Sequence, residues 1–343
     1  MLSLPSNTIL LDIETNGLNR QHDQIISIGV ALSDSHQHPV LKHWFLETKE
    51  EEKNLLEIFL LFLKNTQSIY TYGGRTFDYP FLLSRMESYG LDTSPFLKLK
   101  LVDMKDLLKP LGKERKLLEA SLSFQRQSSA KGKDILKLYR TFEASKSPLY
   151  RDLILKHQKD ELYSLLAFLE LYHTLLHLDQ FVCTQHRLSS KEICFSYEGN
   201  MPFRHSFSGK AFDWTMTYEK EGHLLSVSLP VVDTTLKQYL QPINNYYYIE
   251  SQKQLMHKSL AQFIPAPLKR RATKEECVIL KSDSYIRLYS TYKVTAPIWY
   301  DDEGFAYVTS LDFTAELLVL QLSSLLFNRK VIKPSPSQKH SNT

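Results

Sequence analysis

Asp12 and Glu14 stand two residues apart at the end of a short apolar run, TILLDIE, residues 8–14. Side chains repeat every two residues along a strand, so both carboxylates leave the same face. Like charges held together on a buried strand raise the pKa of at least one of them unless a cation lies between. Hard divalent cations take oxygen ligands, which makes the pair a candidate half-site for magnesium or manganese. The motif alone is weak: with 38 acids in 343 residues, about four acid-x-acid pairs arise by chance. Its context strengthens it, because the acids close an apolar strand and the turn Thr15-Asn16-Gly17-Leu18 follows.

Two more segments carry acids in a defined setting. In Tyr72-Gly73-Gly74-Arg75-Thr76-Phe77-Asp78-Tyr79-Pro80 a strand ends at two glycines and a helix begins near Asp78. An aspartate in a first helical turn is also what the helix dipole favours, worth up to about 1 kcal/mol. In Leu155-Lys156-His157-Gln158-Lys159-Asp160-Glu161-Leu162, within a long helical pattern, Asp160 follows His157 by nearly one turn. A lone helical aspartate is ordinarily a surface position.

The elements that must position these groups follow from periodicity. Residues 8–14, 24–32 and 40–46 predict three strands in a meander, and 68–72 a fourth. Residues 50–64 and 77–89 predict helices, 103–110 and 114–123 short ones, and 148–178 a long one. Strands mixed with helices in this order indicate an α/β domain over residues 1–178. Residues 191–197, 209–219 and 223–232 are strand-like, whereas 252–263 and 311–327 are helical in pattern. Residues 179–330 therefore read as an α+β accessory domain, and the polar, proline-containing residues 331–343 as a disordered tail.

Composition narrows the function classes. Hydrophobic residues are 43% and charged residues 23%, which excludes wholesale disorder. Cys183, Cys194 and Cys277 are too few and scattered for a disulfide framework and form no C-x-x-C zinc motif, pointing to a reducing, cytoplasmic setting. The longest apolar run, Ile58 to Leu63, is far too short to span a membrane. No basic leader precedes the first acids, so no signal peptide is expected. The formal net charge is only +4, but residues 98–140 hold 12 Lys/Arg against 5 Asp/Glu. A basic stretch beside an acidic cluster suits a polyanionic substrate met by a metal centre; it is also the composition of solvated helix faces. Tyr246, Tyr247 and Tyr248 with Lys269, Arg270 and Arg271 suit either single-strand stacking or ordinary strand packing.

A strand-borne D-x-E, then F-D-x-P after a glycine turn, then an aspartate on a late helix is the order of the DEDD 3′–5′ exonucleases of the RNase H-like fold. The segments LDIETNGL, YGGRTFDYPFL, LLEASLSFQR and HQKDELYSLLAFLELY resemble those of YprB-type ribonuclease H-like domains over about residues 8–178. The resemblance implies a mixed sheet flanked by helices and a two-metal 3′–5′ exonuclease. It implies that Asp12, Glu14, Asp78 and Asp160 hold two Mg2+ or Mn2+ ions, with Asp12 bridging both. Thr15, Leu18 and Phe77 would touch the terminal nucleotide of a single-stranded 3′ end. The family's base is usually a His five positions, or a Tyr four positions, before the last Asp; here those places hold Leu155 and Lys156. His157 is then the candidate base and Lys156 a phosphate contact. The alternative is a nucleic-acid-binding protein that kept the fold but not catalysis. Neither a membrane nor an obligate protein partner is expected.

Overall fold

In a computed structural model, residues 4, 7–34, 38–112, 114–176, 180–199, 206–211 and 213–326 are described. The tail expected at 331–343 lies outside them. The chain divides into two compact units, Met1–Val182 with Glu198–Leu225, and Cys183–Tyr197 with Ser226–Thr343. The division is thus not a single cut at 178, because residues 198–225 join the first unit.

The first unit opens with strands β1 (Thr8–Thr15), β2 (Ile25–Ser33) and β3 (Pro39–Phe45), then helix α1 (Glu52–Phe62) and β4 (Ser68–Thr71). Next come α2 (Asp78–Ser88), α3 (Ser94–Leu97), β5 (Lys100–Asp103), α4 (Met104–Leu107), α5 (Arg115–Ser121), α6 (Gly132–Ser145) and the long α7 (Pro148–Leu176). The sheet order is β3-β2-β1-β4-β5. β1 pairs antiparallel with β2 and parallel with β4, so the sheet is mixed and β1 lies at its centre. This is the mixed, helix-flanked α/β sheet that the resemblance implies. A central strand is covered on both faces, which is why TILLDIE reads as nearly continuous apolar. Its two acids are the exceptions.

Core side chains include Leu11, Ile28, Phe59, Ile69, Phe81 and Tyr139, all almost fully buried. Helix α6 had no counterpart among the expected helices. Its apolar Ile135, Tyr139 and Phe142 recur at spacings of four and three and are buried, but lysines and arginines between them make the segment look like a charge run.

The chain continues with β6 (Val182–Leu188), β7 (Glu192–Glu198), β8 (Phe207–Ala211), β9 (Trp214–Glu219), β10 (Leu224–Pro230) and β11 (Val232–Tyr239). It ends with β12 (Tyr246–Ile249), β13 (Gln254–His257), α8 (Lys258–Ala261), β14 (Arg270–Arg271), β15 (Val278–Leu288), β16 (Trp299–Tyr300), β17 (Ala306–Thr309) and α9 (Ala315–Leu326). In the second unit β11, β15, β17 and β16 close a small barrel, and β13-β12-β14 form a three-stranded sheet. The helix expected over 252–263 is instead strand β13 and the single turn α8. Gln254–His257 pair with Tyr246–Ile249, a contact that no local pattern announces.

Candidate active site

Asp12 and Glu14 share one face of β1, as the period of two requires. Opposite them runs α7, tied to the strand by Gln158. The Gln158 amide donates to the Asp12 carbonyl at 3.0 Å, while its oxygen accepts from the Ser27 hydroxyl at 2.7 Å and lies 3.0 Å from His43 Nδ1. Gly29 on β2 makes room for it: a Cβ there would come within 2.6 Å of the Gln158 side chain.

Asp78 is delivered by the glycine turn. Gly73 takes φ +78°, where a side chain would be strained. The buried Asp103 carboxylate pins that turn by accepting from the backbone N–H groups of Gly73 (2.7 Å) and Arg75 (3.1 Å). Asp78 then starts α2 with Oδ1 accepting from Ile13 N–H at 3.0 Å, between the two acids of β1. It is therefore more than a dipole-matched first-turn residue.

Asp160 does something other than the role expected of it. Its carboxylate accepts from the backbone N–H groups of Gln127 (3.2 Å) and Ser128 (2.7 Å), fastening the loop between α5 and α6. The acid whose charge reaches Asp12 and Glu14 is its neighbour, Glu161. On a helix, adjacent residues point about 100° apart, so one step along α7 separates a loop anchor from a site carboxylate. With Glu161 as the late-helix acid, the place four before it is His157 (the position that holds Tyr in many exonucleases of the resembled family). The signal was available: His157 and Glu161 are i,i+4 neighbours, with His157 Nε2 3.6 Å from Glu161 Oε1 and 3.6 Å from Glu14 Oε1.

The acids fall into two electrostatic classes. Burial, followed by the charges of Glu161 and Asp78, raises the Asp12 pKa well above the ordinary carboxylate range. Glu14 is raised in the same way, by burial and then by Asp12 and Glu161. Burial pushes Asp78 up to about 6, against the N–H of Ile13. Asp12 Oδ2 is buried without a hydrogen-bond partner. Among the described residues no Lys or Arg forms an ion pair with these three carboxylates.

Glu161 is the opposite case. Burial opposes its ionisation, but Arg115 and Arg126 outweigh that and hold its pKa below the usual value. Arg115 Nη1 lies 2.5 Å from Glu161 Oε2, and Arg126 Nη1 lies 2.6 Å from Oε1. Arg126 also grips Glu119 through two hydrogen bonds of 2.6 and 2.8 Å. Two arginines of the basic stretch thus face inward. His157 has its pKa lowered, chiefly by burial, and stays neutral near pH 7.

Beside Glu14 opens a cleft of about 360 Å³ lined by Thr15, Gly17, Leu18, Phe77, Lys133 and Leu136, among others. Leu18 is 85% exposed at its edge. Thr15, Leu18 and Phe77, singled out in the sequence, therefore line one cleft; Lys156 is exposed on α7.

The chemistry of the donors suits a hard divalent ion: three carboxylates without a cation, one of them with an unpartnered buried oxygen. A ready-made ligand shell is another matter. Among the described residues no three His, Cys, Asp or Glu side chains are gathered into a metal-holding group.

Comparison with known proteins bears on the fold. No curated protein matches the chain. Among solved structures, a family B DNA polymerase from the archaeon Pyrobaculum calidifontis is 16% identical, with a TM-score of 0.40 over 50% of this chain and 25% of its own. A product-bound exonuclease I is 10% identical, with a TM-score of 0.30 over 80% of this chain and 64% of its own. Escherichia coli exonuclease I in complex with a dT13 oligonucleotide is 11% identical, with a TM-score of 0.29 over 80% and 65%. The chain thus spans a quarter of the polymerase and under two thirds of exonuclease I. Residues 9–173, which carry every side chain of the site, match the family model described as RNase_H superfamily.

Proposed function

We infer that the first unit is a divalent-metal-dependent nuclease that hydrolyses phosphodiester bonds from a single-stranded 3′ end. The observation that carries this is the trio Asp12, Glu14 and Asp78: three buried carboxylates that no Lys or Arg among the described residues pairs with, next to an apolar cleft. Leaving them so costs folding free energy, because their mutual repulsion is absent from the unfolded chain. Such an arrangement makes physical sense where a cation is to be bound.

Asp12, Glu14 and Asp78 would hold Mg2+ or Mn2+. A bound ion of this kind polarises a phosphoryl oxygen and makes nearby water a better nucleophile. His157, neutral and 3.6 Å from Glu14, would accept a proton from the attacking water. Thr15, Leu18 and Phe77 would seat the terminal nucleotide in the cleft. Lys156, exposed one residue before His157, would meet phosphates further along the strand.

A second reading has its own observation. The arginine clamp on Glu161 removes one carboxylate from any ligand set, which would suit a nucleic-acid-binding protein without catalysis. End-labelled DNA and RNA oligonucleotides incubated with manganese or EDTA decide between them. The nuclease reading expects manganese-dependent loss of single nucleotides from the 3′ end, lost in Asp12→Ala. Metal-dependent binding or no effect, with no cleavage of either polymer, contradicts it.

A further inference from the structure

The small barrel of the second unit carries aromatic side chains on its outside as well as in its core. Alternation along β11 and β16 sends Leu236 and Trp299 inward, where both are buried. Lys237, Tyr239 and Tyr300 then face outward. Tyr300 stands directly opposite Lys237 and diagonal to Tyr239. The Tyr239 and Tyr300 rings lie 5.7 Å apart between centroids, tilted by 53°. Beside them opens a cleft of about 610 Å³, larger than the cleft of about 360 Å³ beside Glu14 and within the range of ligand sites. Gln238, Gln241, Lys274 and Ile298 line it as well.

The chemistry of the lining narrows the ligand. No carboxylate lines the cleft, and its one cation is Lys274, whose Nζ lies 5.6 Å from the centroid of the Tyr239 ring. Among the described residues Lys274 pairs with no acid. Its neighbours are spent: Lys237 on Asp302 at 2.8 Å, and Arg270 on Glu250 and Glu276, each at 2.6 Å. The side-chain amides of Gln238 and Gln241 have no hydrogen-bond partner among the described residues. A neutral extended peptide would fill a tyrosine-lined groove but leave the lysine unanswered. A nucleotide answers all three features, with a base face for the rings, a phosphate for the ammonium and a base edge for the amides.

We propose that this cleft of the second unit binds one nucleotide of a single-stranded nucleic acid. A base stacks on the Tyr239–Tyr300 pair, its phosphate pairs with Lys274, and the Gln238 and Gln241 amides meet the base edge. The two rings are already in contact and held on strands, so they lose little freedom on binding. Every base has a π-face and an amide both donates and accepts, so the site tolerates any sequence. It uses no residue of the first unit, no metal and no bond cleavage, and it therefore stands or falls apart from the nuclease reading.

The test is fluorescence anisotropy of a fluorescein-labelled oligothymidylate titrated with the full chain in EDTA, over a range of salt. Wild type should bind. Tyr300→Ala should weaken binding about 5–100-fold, the worth of one stacked base, whereas Tyr300→Phe keeps the ring and should match wild type. Lys274→Ala should make the slope of log K against log salt shallower by about 0.7, one phosphate contact on a single strand, and Lys274→Glu should weaken binding further. Lys274 is exposed, so its variants test the proposal even if Tyr300→Ala does not fold. Wild-type affinity and salt slope in both Lys274 variants would overturn it. So would a labelled proline-rich peptide whose binding depends on Tyr300 while that of the oligothymidylate does not. Weakened binding in these variants with no nuclease activity in wild type would keep this site and remove the nuclease reading; cleavage by wild type with unchanged binding in the variants would do the reverse.

Discussion

Two sets of buried acids in the first unit solve the same electrostatic problem in opposite ways. Glu52, at the start of α1, is wholly buried and fully answered. Arg85 meets both of its oxygens, at 3.0 and 2.7 Å, and the Ile25 N–H, the Gln24 amide and the Tyr89 hydroxyl complete its shell. Among the described residues no Lys or Arg meets Asp12 or Glu14 on β1: Gln158 is the hydrogen-bonding side chain at Asp12, His157 lies 3.6 Å from Glu14, and Asp12 Oδ2 is buried without a partner. A buried carboxylate costs several kcal/mol unless it is paired, so a satisfied one belongs to the scaffold and an unsatisfied one asks for a ligand. The second unit holds a paired cluster that is exposed rather than buried. Arg270 is held by Glu250 and twice by Glu276, and lies over the Tyr248 ring, while Arg271 stacks on Tyr247 and donates to the Asn244 carbonyl. The Tyr-Arg cluster that suits single-strand stacking is engaged in holding β12 and β14 together.

This contrast predicts which changes alter activity and which alter stability. The largest effect is on the unanswered acids: Asp12→Ala should lower hydrolysis by about 10³-fold or more, since an ion's stabilisation of phosphoryl charge is worth several kcal/mol. Steady-state cleavage by rigorously purified protein checks it. Next comes the scaffold pair. Arg85→Met strands Glu52 in the core and should cost about 3–5 kcal/mol in urea unfolding, with the rate per folded molecule unchanged at low temperature.

Gly29→Ala should cost about 1–3 kcal/mol, because the new Cβ meets Gln158 and pushes α7 off the strand. Unlike the Arg85 change, it should also slow cleavage, since α7 carries His157. The smallest effect is expected for Asp160→Asn, which weakens two backbone hydrogen bonds to a charged acceptor and should cost about 1–2 kcal/mol. Manganese affinity should not follow. If Asp160→Asn lost manganese binding, the reading of Asp160 as a loop anchor rather than an ion ligand would be wrong.

How far the sequence carries the molecule depends on whether a signal is local. β1 to β4, α1, α2 and α7 are legible because each shows its own periodicity over enough residues. The turn that aims Asp78 is legible in Gly73-Gly74. α7 is harder in one respect only. Its middle is buried on most sides, with Asp160, Leu162, Ser164, Leu165 and Phe168 all inside. The apolar pattern therefore does not say which acid faces β1, and Asp160 and Glu161 differ by one step. The arginine clamp is invisible locally, because Arg115 and Arg126 meet Glu161 across sequence separations of 46 and 35 residues and look like a solvated basic run. β13 fails for the same reason: its partner strand, not its composition, makes it extended.

The most direct test of the central claim, that Asp12, Glu14 and Asp78 await a cation, is thermal unfolding of wild type and Asp12→Asn, in EDTA and in manganese, at pH 5 and pH 7. Raised carboxyl pKa values mean that the folded state keeps protons the unfolded chain gives up above about pH 4. The stability these groups allow therefore falls as pH rises through the folded values, about 6 for Asp78. Manganese competes with those protons, so it should stabilise more at pH 7 than at pH 5. At a hundred times its Kd it adds about 2.7 kcal/mol, on the order of 5–10 °C for a unit of this size. Asp12→Asn should melt higher than wild type in EDTA at pH 7 and respond little to manganese. An equal manganese shift in both proteins at both pH values would mean that the ion binds elsewhere, and would contradict the account.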